Sequence, residues 1–301
     1  MDINAGNLSA LFTSFRLLFT RGAQTVDKAY LKFTMEIVST TAVEIYGWLN
    51  SIGKMKEWLS DRDIENISSE KLEVRNRKFE KTIAVTRDSL EDDQIGVYSP
   101  IMADLGFEAE SLWGDLAAEA LAAANVTKWA DGKTFCATDR KYGKQTINNK
   151  ATAALSVESF EAGMLAMRQY KGHKGNLLKV KPTLLVHGPA NRTTAFNLVK
   201  NEWIVQAAGS VGAGAIKNPN FGAVETLELD NLGSEWFLLD CSRPYKPVGV
   251  QKRRMPELIA KDDPKTSDRA FMRDEYLYGA SARGEAFLTL PHLVYGSFPI
   301  A

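Results

Sequence analysis

Residues 54–93 read KMKEWLSDRDIENISSEKLEVRNRKFEKTIAVTRDSLEDD, and half of these 40 positions carry Asp, Glu, Lys or Arg, against 25% in the whole chain. Apolar side chains nevertheless alternate with polar ones, as Leu72 and Val74 do in the first run and Ile83 and Val85 in the second. A period of two indicates β-strands. The segment therefore predicts an extended two-stranded ribbon, which is at best marginally stable in water by itself.

The charges of this ribbon are mixed in sign, with nine basic and eleven acidic residues. Such a surface is complementary to a partner that also carries both signs, for example a second copy of the same molecule. A hairpin that is simply solvated on the surface is the alternative explanation of the same residues.

The composition excludes several classes of protein. The 301 residues include 37 basic and 37 acidic side chains, so no net charge draws the chain to nucleic acid or to an anionic membrane. With 45% hydrophobic residues it can bury a sizeable core, and it contains no apolar run of the roughly 20 residues that a membrane span requires. Its start, Met1 to Asn4, lacks the features of a signal peptide, which predicts synthesis in the cytoplasm and reduced, structural thiols at Cys136 and Cys241.

The first sixty residues predict short elements that are strung out as an arm rather than a compact domain. Apolar residues recur at helical spacing from Leu8 to Phe19, and Gly22 provides a stop signal. Residues 33–37 alternate as a short strand, and residues 39–48 are typical of a capped turn or helix.

The clearest helix follows the ribbon. Ser99 and Pro100 predict its start, as a capping residue followed by proline at the first helical position, and an apolar face continues to Asn125. Some 25 residues at about 1.5 Å each give a rod of about 37 Å. Spacing alone favours an ordinary solvated face for its acidic residues; the alternative is a surface that stays close to a polyanion without binding it. One stripe of the rod carries Asp104, Glu108, Asp115 and Glu119.

The middle of the chain alternates helices and strands. Helices are predicted at 157–170 and 190–200, with a buried strand at 182–187 and a glycine-rich loop, GSVGAG, at 209–214. The remainder is mostly β-structure, with extended segments predicted at 224–229, 236–239, 248–254, 270–278 and 284–296.

The residues give little support to a catalytic or metal site. The three histidines lie far apart, and none stands in a His-x-x-x-His or Cys-x-x-Cys arrangement. Cys241 lacks the surroundings of a nucleophile elbow. The loop 209–214 has neither the glycine order of a dinucleotide fingerprint nor the Gly-Lys-Ser/Thr of a phosphate loop. We therefore expect no catalytic residue, no cofactor and no metal, and a chain that works by binding itself.

Several strings of residues, in order along nearly the whole chain, resemble one protein family. They are STT at 39–41, YGWL at 46–49, FEKTIAVTRD at 79–88, LEDD at 90–93, GVYSP at 96–100, LLDCSR at 238–243 and FMRDEYLYGA at 271–280. Together they resemble the major head (capsid) subunit of Mu-like phages and prophages. The resemblance is strongest at 39–100 and 236–283, whereas residues 131–235 match less clearly.

This resemblance implies an α+β protein with the HK97-like capsid fold that tailed phages and herpesviruses share. In that fold an N-terminal arm leads to an extended β-hairpin loop, a peripheral domain with a long spine helix, and an axial α/β domain. The corresponding parts of this chain are an arm at 1–53, the hairpin loop at 54–93, the peripheral domain at 94–130 and 236–301 with its spine helix at about 99–125, and the axial domain at 131–235.

The implied function is that of a major capsid protein. Pentamers and hexamers of it would form the icosahedral shell around the double-stranded DNA of a tailed, Mu-like phage, made and assembled in the bacterial cytoplasm. Expected partners are further copies, a separate scaffold and protease, a portal and decoration proteins, with no membrane and no sequence-specific DNA binding. The acidic stripe would face the genome. Expected inter-subunit contacts are Phe12, Phe15, Arg75, Arg77, Lys78, Gly209, Gly212 and Gly214.

Two other classes stay open. One is a nucleotide-binding enzyme that uses the loop from Gly209 to Gly214, and the other is a ring-forming tail or connector protein of the virion. Particle formation in the presence of a scaffold separates a capsid protein from both.

Overall fold

The computed structural model describes residues 5–46, 71–92, 96–142, 144–172, 175–205, 215–262 and 267–299. The α-helices in these ranges are α1 (Ala5–Gln24), α2 (Arg87–Asp92), α3 (Tyr98–Ala122), α4 (Val157–Arg168), α5 (Arg192–Val199) and α6 (Asp268–Arg273). None of the helices in these ranges has the length and hydropathy to cross a membrane. The strands are β1 (Thr34–Val38), β2 (Val43–Tyr46), β3 (Leu72–Arg75), β4 (Arg77–Thr86), β5 (Arg140–Tyr142), β6 (Gln145–Ile147), β7 (Lys150–Ala151), β8 (Leu184–His187), β9 (Trp203–Val205), β10 (Ala215–Lys217), β11 (Glu225–Glu228), β12 (Trp236–Leu239), β13 (Val248–Lys261), β14 (Glu275–Leu288) and β15 (Val294–Ser297).

Helix α3 confirms the predicted rod. It begins one residue before the predicted cap, so that Ser99 and Pro100 lie in its first turn, and a 3₁₀ turn, Ala123–Asn125, continues it to the predicted end. Its apolar side chains are buried, including Leu105 and Trp113.

A four-stranded sheet of order β1-β13-β14-β4 lies beneath α3. The strand β1 runs parallel to β13, whereas β13 and β14, and β14 and β4, are antiparallel. Side chains alternate along β14, so one set is buried towards the helices and the other lies on the opposite face of the sheet. The buried set includes Tyr276, Tyr278, Ala280 and Ala282.

Helix α1 packs against α3 instead of extending from the subunit. Phe15 meets the ring of Tyr278 edge to face, with 5.1 Å between ring centroids. The two helices approach closely, because a methyl group at Gly106 would lie only 2.0 Å from the carbonyl oxygen of Phe19. The prediction of strung-out pieces is therefore wrong for residues 5–24, whose apolar stripe is covered by α3.

The predicted ribbon is divided between two sheets. Strand β3 pairs antiparallel with β2, with Tyr46 opposite Leu72, whereas β4 pairs with β14. The prediction of a single ribbon through residues 72–86 is wrong in its pairing, because alternation shows which side chains share a face but does not specify the partner strand. Residues 54–70 of the predicted ribbon lie outside the described residues.

A five-stranded sheet of order β11-β8-β12-β15-β7 separates two apolar cores. Leu184 and Val186 of β8 face the core that contains Trp113 of α3, and Leu185 faces a second core with Phe160 of α4. Strands β8, β11 and β12 and helices α4 and α5 confirm the elements predicted for the middle of the chain.

The sequence predicts that residues 270–278 are extended throughout, and the structure shows that they are not. Their first part belongs to α6, where the hydroxyl of Ser267 accepts a hydrogen bond from the backbone N–H of Ala270 at 3.4 Å. Asp274 ends the helix in the left-handed conformation, with φ of 55°. A helix of six residues is too short to produce a readable apolar period, which explains the wrong prediction.

Candidate assembly surfaces

The strands β2 and β3 with Asn76 form a short ribbon on the face of the four-stranded sheet opposite α3; we call it the ribbon root. Tyr46, at the end of β2, stacks its ring on Phe287 of β14, with 4.7 Å between centroids and 24° between planes. Val74 is buried in the same small cluster. The chain segment between β2 and β3 therefore departs from a firmly packed base.

A buried amide fastens the ribbon root to β13. The hydroxyl of Tyr46 donates to Oε1 of Gln251 at 2.9 Å, and Nε2 of Gln251 donates to Oδ1 of Asn76 at 2.8 Å and to the carbonyl oxygen of Val74 at 3.3 Å. Gln251 is fully buried. Because an unpaired buried amide is costly, these bonds fix the direction of the ribbon root relative to the sheet.

A second set of hydrogen bonds closes the other end of the ribbon root. Asn76 donates through Nδ2 to Oγ of Ser39 at 2.7 Å and to the carbonyl oxygen of Thr41 at 2.9 Å. Oε1 of Glu44 accepts from Oγ of Ser39 at 2.8 Å and from the N–H groups of Thr40 and Thr41 at 2.8 and 2.9 Å. These bonds lower the pKa of Glu44 to about 2, which keeps the carboxylate charged at neutral pH.

Sequence reasoning missed this network because its members are remote in the chain: Gln251 and Asn76 are 175 positions apart. One local signal does point to it. Gln251 follows the apolar run Val248 to Val250 in a segment that the sequence predicts as extended. A lone amide in such a strand needs hydrogen-bond partners from another element.

The three predicted cationic contacts have different surroundings. Arg77 forms an ion pair with Glu285, with Nη2 2.8 Å from Oε1, and its guanidinium carbon lies 5.2 Å from the ring centre of Phe79. Arg75 and Lys78 are exposed. Arg77 is thus engaged within its own subunit, while Arg75 and Lys78 present their charges at the surface.

The two predicted apolar contacts of α1 are also different. Phe15 is only 3% exposed and belongs to the cluster around Tyr278. Phe12 packs against the same cluster but is only partly buried. Phe15 therefore serves the subunit's own core, and Phe12 keeps surface that a neighbouring copy can contact.

The glycine-rich loop with Gly209, Gly212 and Gly214 lies outside the described residues. The strands on either side of it, β9 and β10, pair antiparallel, with residue 205 opposite Ala215. Trp203 of β9 is 54% exposed, so this hairpin base carries an apolar surface.

The acidic stripe is brought together on α3 as predicted from its spacing, and all four carboxylates are exposed. Partial burial, and then the charges of Glu108 and Glu119, raise the pKa of Asp115. The sequence did not predict a neighbouring cation. Nη2 of Arg77, from β4, lies 3.9 Å from Glu119 and offsets the charge at one end of the stripe.

The thiols and the buried imidazole are unsuited to catalysis. Burial raises the pKa of both Cys136 and Cys241 to about 12, so neither is a thiolate at neutral pH. Burial and the charge of Arg243 lower the pKa of His292 to about 4. The described part of the chain holds no group of three or more side chains that could bind a metal ion.

The sequence and the fold are similar to those of phage head proteins. The model of the family described as Mu-like prophage major head subunit gpT matches residues 8–154, 142–230 and 217–298. The major capsid protein of Escherichia phage Mu is 27% identical over 289 residues, which cover 95% of this chain and 72% of that protein. The Mu-like prophage FluMu major head subunit of Haemophilus influenzae is 26% identical over 292 residues, covering 96% and 73%. A chain of the procapsid of bacteriophage JBD30 aligns over 99% of this chain and 77% of its own length, with a TM-score of 0.62 and 25% identity.

Proposed function

This chain belongs to the family of Mu-like prophage major head subunits, and from that premise we propose how copies of it build a head. It is a capsid protein of the Mu-like type with the HK97-like fold, and its function is structural rather than enzymatic. Copies associate through heterologous contacts into pentamers and hexamers, which close into an icosahedral shell around double-stranded DNA. The relatives do not favour the nucleotide-binding enzyme or the ring-forming tail protein.

The observation that carries this proposal is the ribbon root. A two-stranded ribbon is weak by itself, yet here Tyr46 and Gln251 fix it to the sheet with a ring stack and buried hydrogen bonds. Such an anchor is useful if the segment at 47–70 contacts a neighbouring copy in a fixed direction. The partly buried Phe12 and the exposed Arg75 and Lys78 provide further contacts between copies.

Each part of the subunit has its own place in the assembly. We assign the arm to 1–53 and the inter-subunit loop to 54–93, with its base at β2 and β3. The peripheral domain comprises 94–130 and 236–301 with α3 as the spine helix, and the axial domain comprises 131–235, with Gly209, Gly212 and Gly214 near the ring axis. The two domains share a sheet, because β12 and β15 join β8 in one set of strands.

The acidic stripe of α3 faces the packaged genome. Carboxylates on the inner surface of the shell repel the phosphates of DNA and keep it mobile, whereas lysines on that surface would bind the phosphates. Changing Asp104, Glu108 and Asp115 to lysine should make emptied shells retain DNA, measured as nucleic acid bound after genome release at low salt. Glu119 stays unchanged in this variant because it also faces Arg77.

Three exposed acidic residues outside α3 supply the matched control for that experiment. Their reversal to lysine should leave DNA retention unchanged if position rather than total charge matters. Equal retention by both variants would reject a genome-facing stripe. The control positions are Glu158, Glu202 and Asp230.

The other partners are part of the same proposal. A separate scaffold and protease shape the shell, a portal occupies one vertex, and decoration proteins cover the outside. Synthesis and assembly take place in the bacterial cytoplasm. The shell encloses DNA without reading its sequence.

Particle formation tests the proposed function. The chain is expressed with the scaffold and protease of its phage and examined by negative-stain electron microscopy, where we expect closed shells. A variant in which Asn-Gly replaces residues 47–71 keeps the ribbon root as a tight hairpin. It should unfold at the wild-type temperature but form no shells.

Three results would count against this function. Small rings without shells would favour the tail or connector protein. Nucleotide binding that Gly212→Val abolishes would favour the enzyme. Normal shells from the chain without residues 47–71 would remove this segment from assembly.

A further inference from the structure

The face of the four-stranded sheet opposite α3 carries an arrangement of charge that packing does not explain; we call this the outer face. Because side chains alternate along β14, Ala280 and Ala282 are buried towards the helices, and Ser281 and Arg283 lie on the outer face. Strands β4 and β13 continue the outer face on either side of β14.

Three cations stand side by side on the outer face. Arg283 of β14 is directly opposite Lys78 of β4 and Arg254 of β13. Nη2 of Arg254 donates to Oγ of Ser281 at 3.2 Å, which places Arg254 on the same face. Adjacent strands are about 4.8 Å apart, so the three residues stand within about 10 Å. We call Lys78, Arg254 and Arg283 the cation row. Like charges that stand directly opposite each other destabilise a sheet.

The described part of the chain supplies no ion pair to the cation row. Glu80 and Glu257 lie on either side of Ser281, one level further along the outer face. Within the described residues, neither carboxylate comes within 4.0 Å of a cation of the row. Nε of Arg283 is buried and has no hydrogen-bond partner in the same part of the chain. Among the residues that the structure describes, the row is therefore a set of repelling charges that no carboxylate pairs with.

The ribbon root of the same copy points away from the cation row. At one end of the ribbon root, Asn76 lies next to Arg77, which pairs with Gly284 of β14. At the other end, Tyr46 stacks on Phe287 of β14. The ribbon root thus extends along β14 from Gly284 towards Phe287. Arg283 lies on the opposite side of Gly284. The segment between β2 and β3 starts at the far end, so a second copy is better placed to bring this segment to the row.

That segment carries the complementary charge. Its stretch EWLSDRDIE, residues 57–65, contains four acidic residues and one basic residue, with carboxylates at the alternate positions Asp61, Asp63 and Glu65. Building on the proposed function, we propose that the cation row binds residues 61–65 of a second copy in the shell. Docking replaces repulsion among the cations by attraction to the carboxylates, so the row stabilises the assembled state rather than the free subunit.

Charge reversal at the centre of the row tests this contact in the complete chain, expressed with scaffold and protease. Arg283→Glu should lower the yield of closed shells at least about tenfold, and Asp63→Arg in the same chain should restore it, because the pair is formed again with opposite signs. The free Arg283→Glu subunit should unfold at the wild-type temperature or higher, since a repulsion is removed. Lys261→Glu, an exposed change on the outer face of β13 outside the row, is the matched control and should assemble normally.

Wild-type yields from Arg283→Glu, or no recovery with Asp63→Arg, would overturn the proposal. A normal yield of shells together with weaker DNA retention would show that the cation row binds the genome, which would also overturn the proposal. If the unchanged chain itself forms no shells, the proposed function fails and the contact is tested separately. Mixed Asp63→Cys and Ser281→Cys chains should then form intermolecular disulfides in solution, and their absence would exclude the docking.

Discussion

Nε2 of Gln251 lies 2.8 Å from Oδ1 of Asn76, and this buried bond joins β13 to the residue that separates β3 from β4. Gln251→Leu preserves the volume but removes the donor to Oδ1 of Asn76 and the acceptor on β13 for the hydroxyl of Tyr46. We expect the free energy of unfolding to fall by about 2–4 kcal/mol, measured by urea denaturation. The yield of shells should fall as well, because the ribbon root loses its fixed direction.

The exposed glutamine that ends α4 provides the control for this substitution. Gln169→Leu introduces the same side chain at the surface and should change the free energy of unfolding by less than about 0.5 kcal/mol. Equal stabilities for the two variants would show that the buried bonds do not stabilise the ribbon root.

Local sequence signals were sufficient for the elements with a long or uniform pattern. The apolar period after Ser99 and Pro100 predicted α3, and the runs ending at His187 and Leu239 predicted β8 and β12. In each case one element carries enough apolar residues to specify its own period. The family strings then supplied the order of the domains, which periodicity does not contain.

The rest depends on partners that are distant in sequence. The alternation of β4 does not show that Arg77 will meet Glu285 and Glu119 rather than a neighbouring copy. The helical stripe of α1 likewise does not distinguish an arm from a helix that buries Phe15 against Tyr278. Contacts between copies are harder still, because nothing in a single chain separates a core side chain from an interface side chain.

Glu44 should make the subunit sensitive to acid. Its folded-state pKa of about 2 lies below the ordinary value of 4.5, so its contribution to stability is complete above pH 4.5 and is lost as the pH falls towards 2. Glu44→Gln should be less stable than the wild type at pH 7, and the difference should shrink below pH 4. Urea unfolding at both pH values checks this; a difference that is independent of pH would contradict the bonding of the carboxylate.

His292 produces a second loss of stability in a different pH window. Burial beside Arg243 lowers the pKa of this imidazole to about 4, whereas an unfolded chain takes up the proton near pH 6.5. The unfolded state therefore binds more protons between these values, and the wild type should lose up to about 3 kcal/mol as the pH falls from 6.5 to 4. His292→Gln should flatten the stability curve over this window. An unchanged slope in the variant would assign the acid sensitivity to another group.

Two glycines of the same helix should respond to alanine in opposite ways. A methyl group at Gly106 would lie 2.0 Å from the carbonyl oxygen of Phe19, so Gly106→Ala must push α1 away from α3 and should cost about 3 kcal/mol or more. At Gly114 the nearest atom would be Cδ1 of Tyr30 at 3.4 Å, which is ordinary contact. Gly114→Ala should therefore stabilise the helix by about 0.5–1 kcal/mol. Thermal unfolding of both variants compares them directly, and a stable Gly106→Ala subunit would show that α1 is not held against α3 in solution.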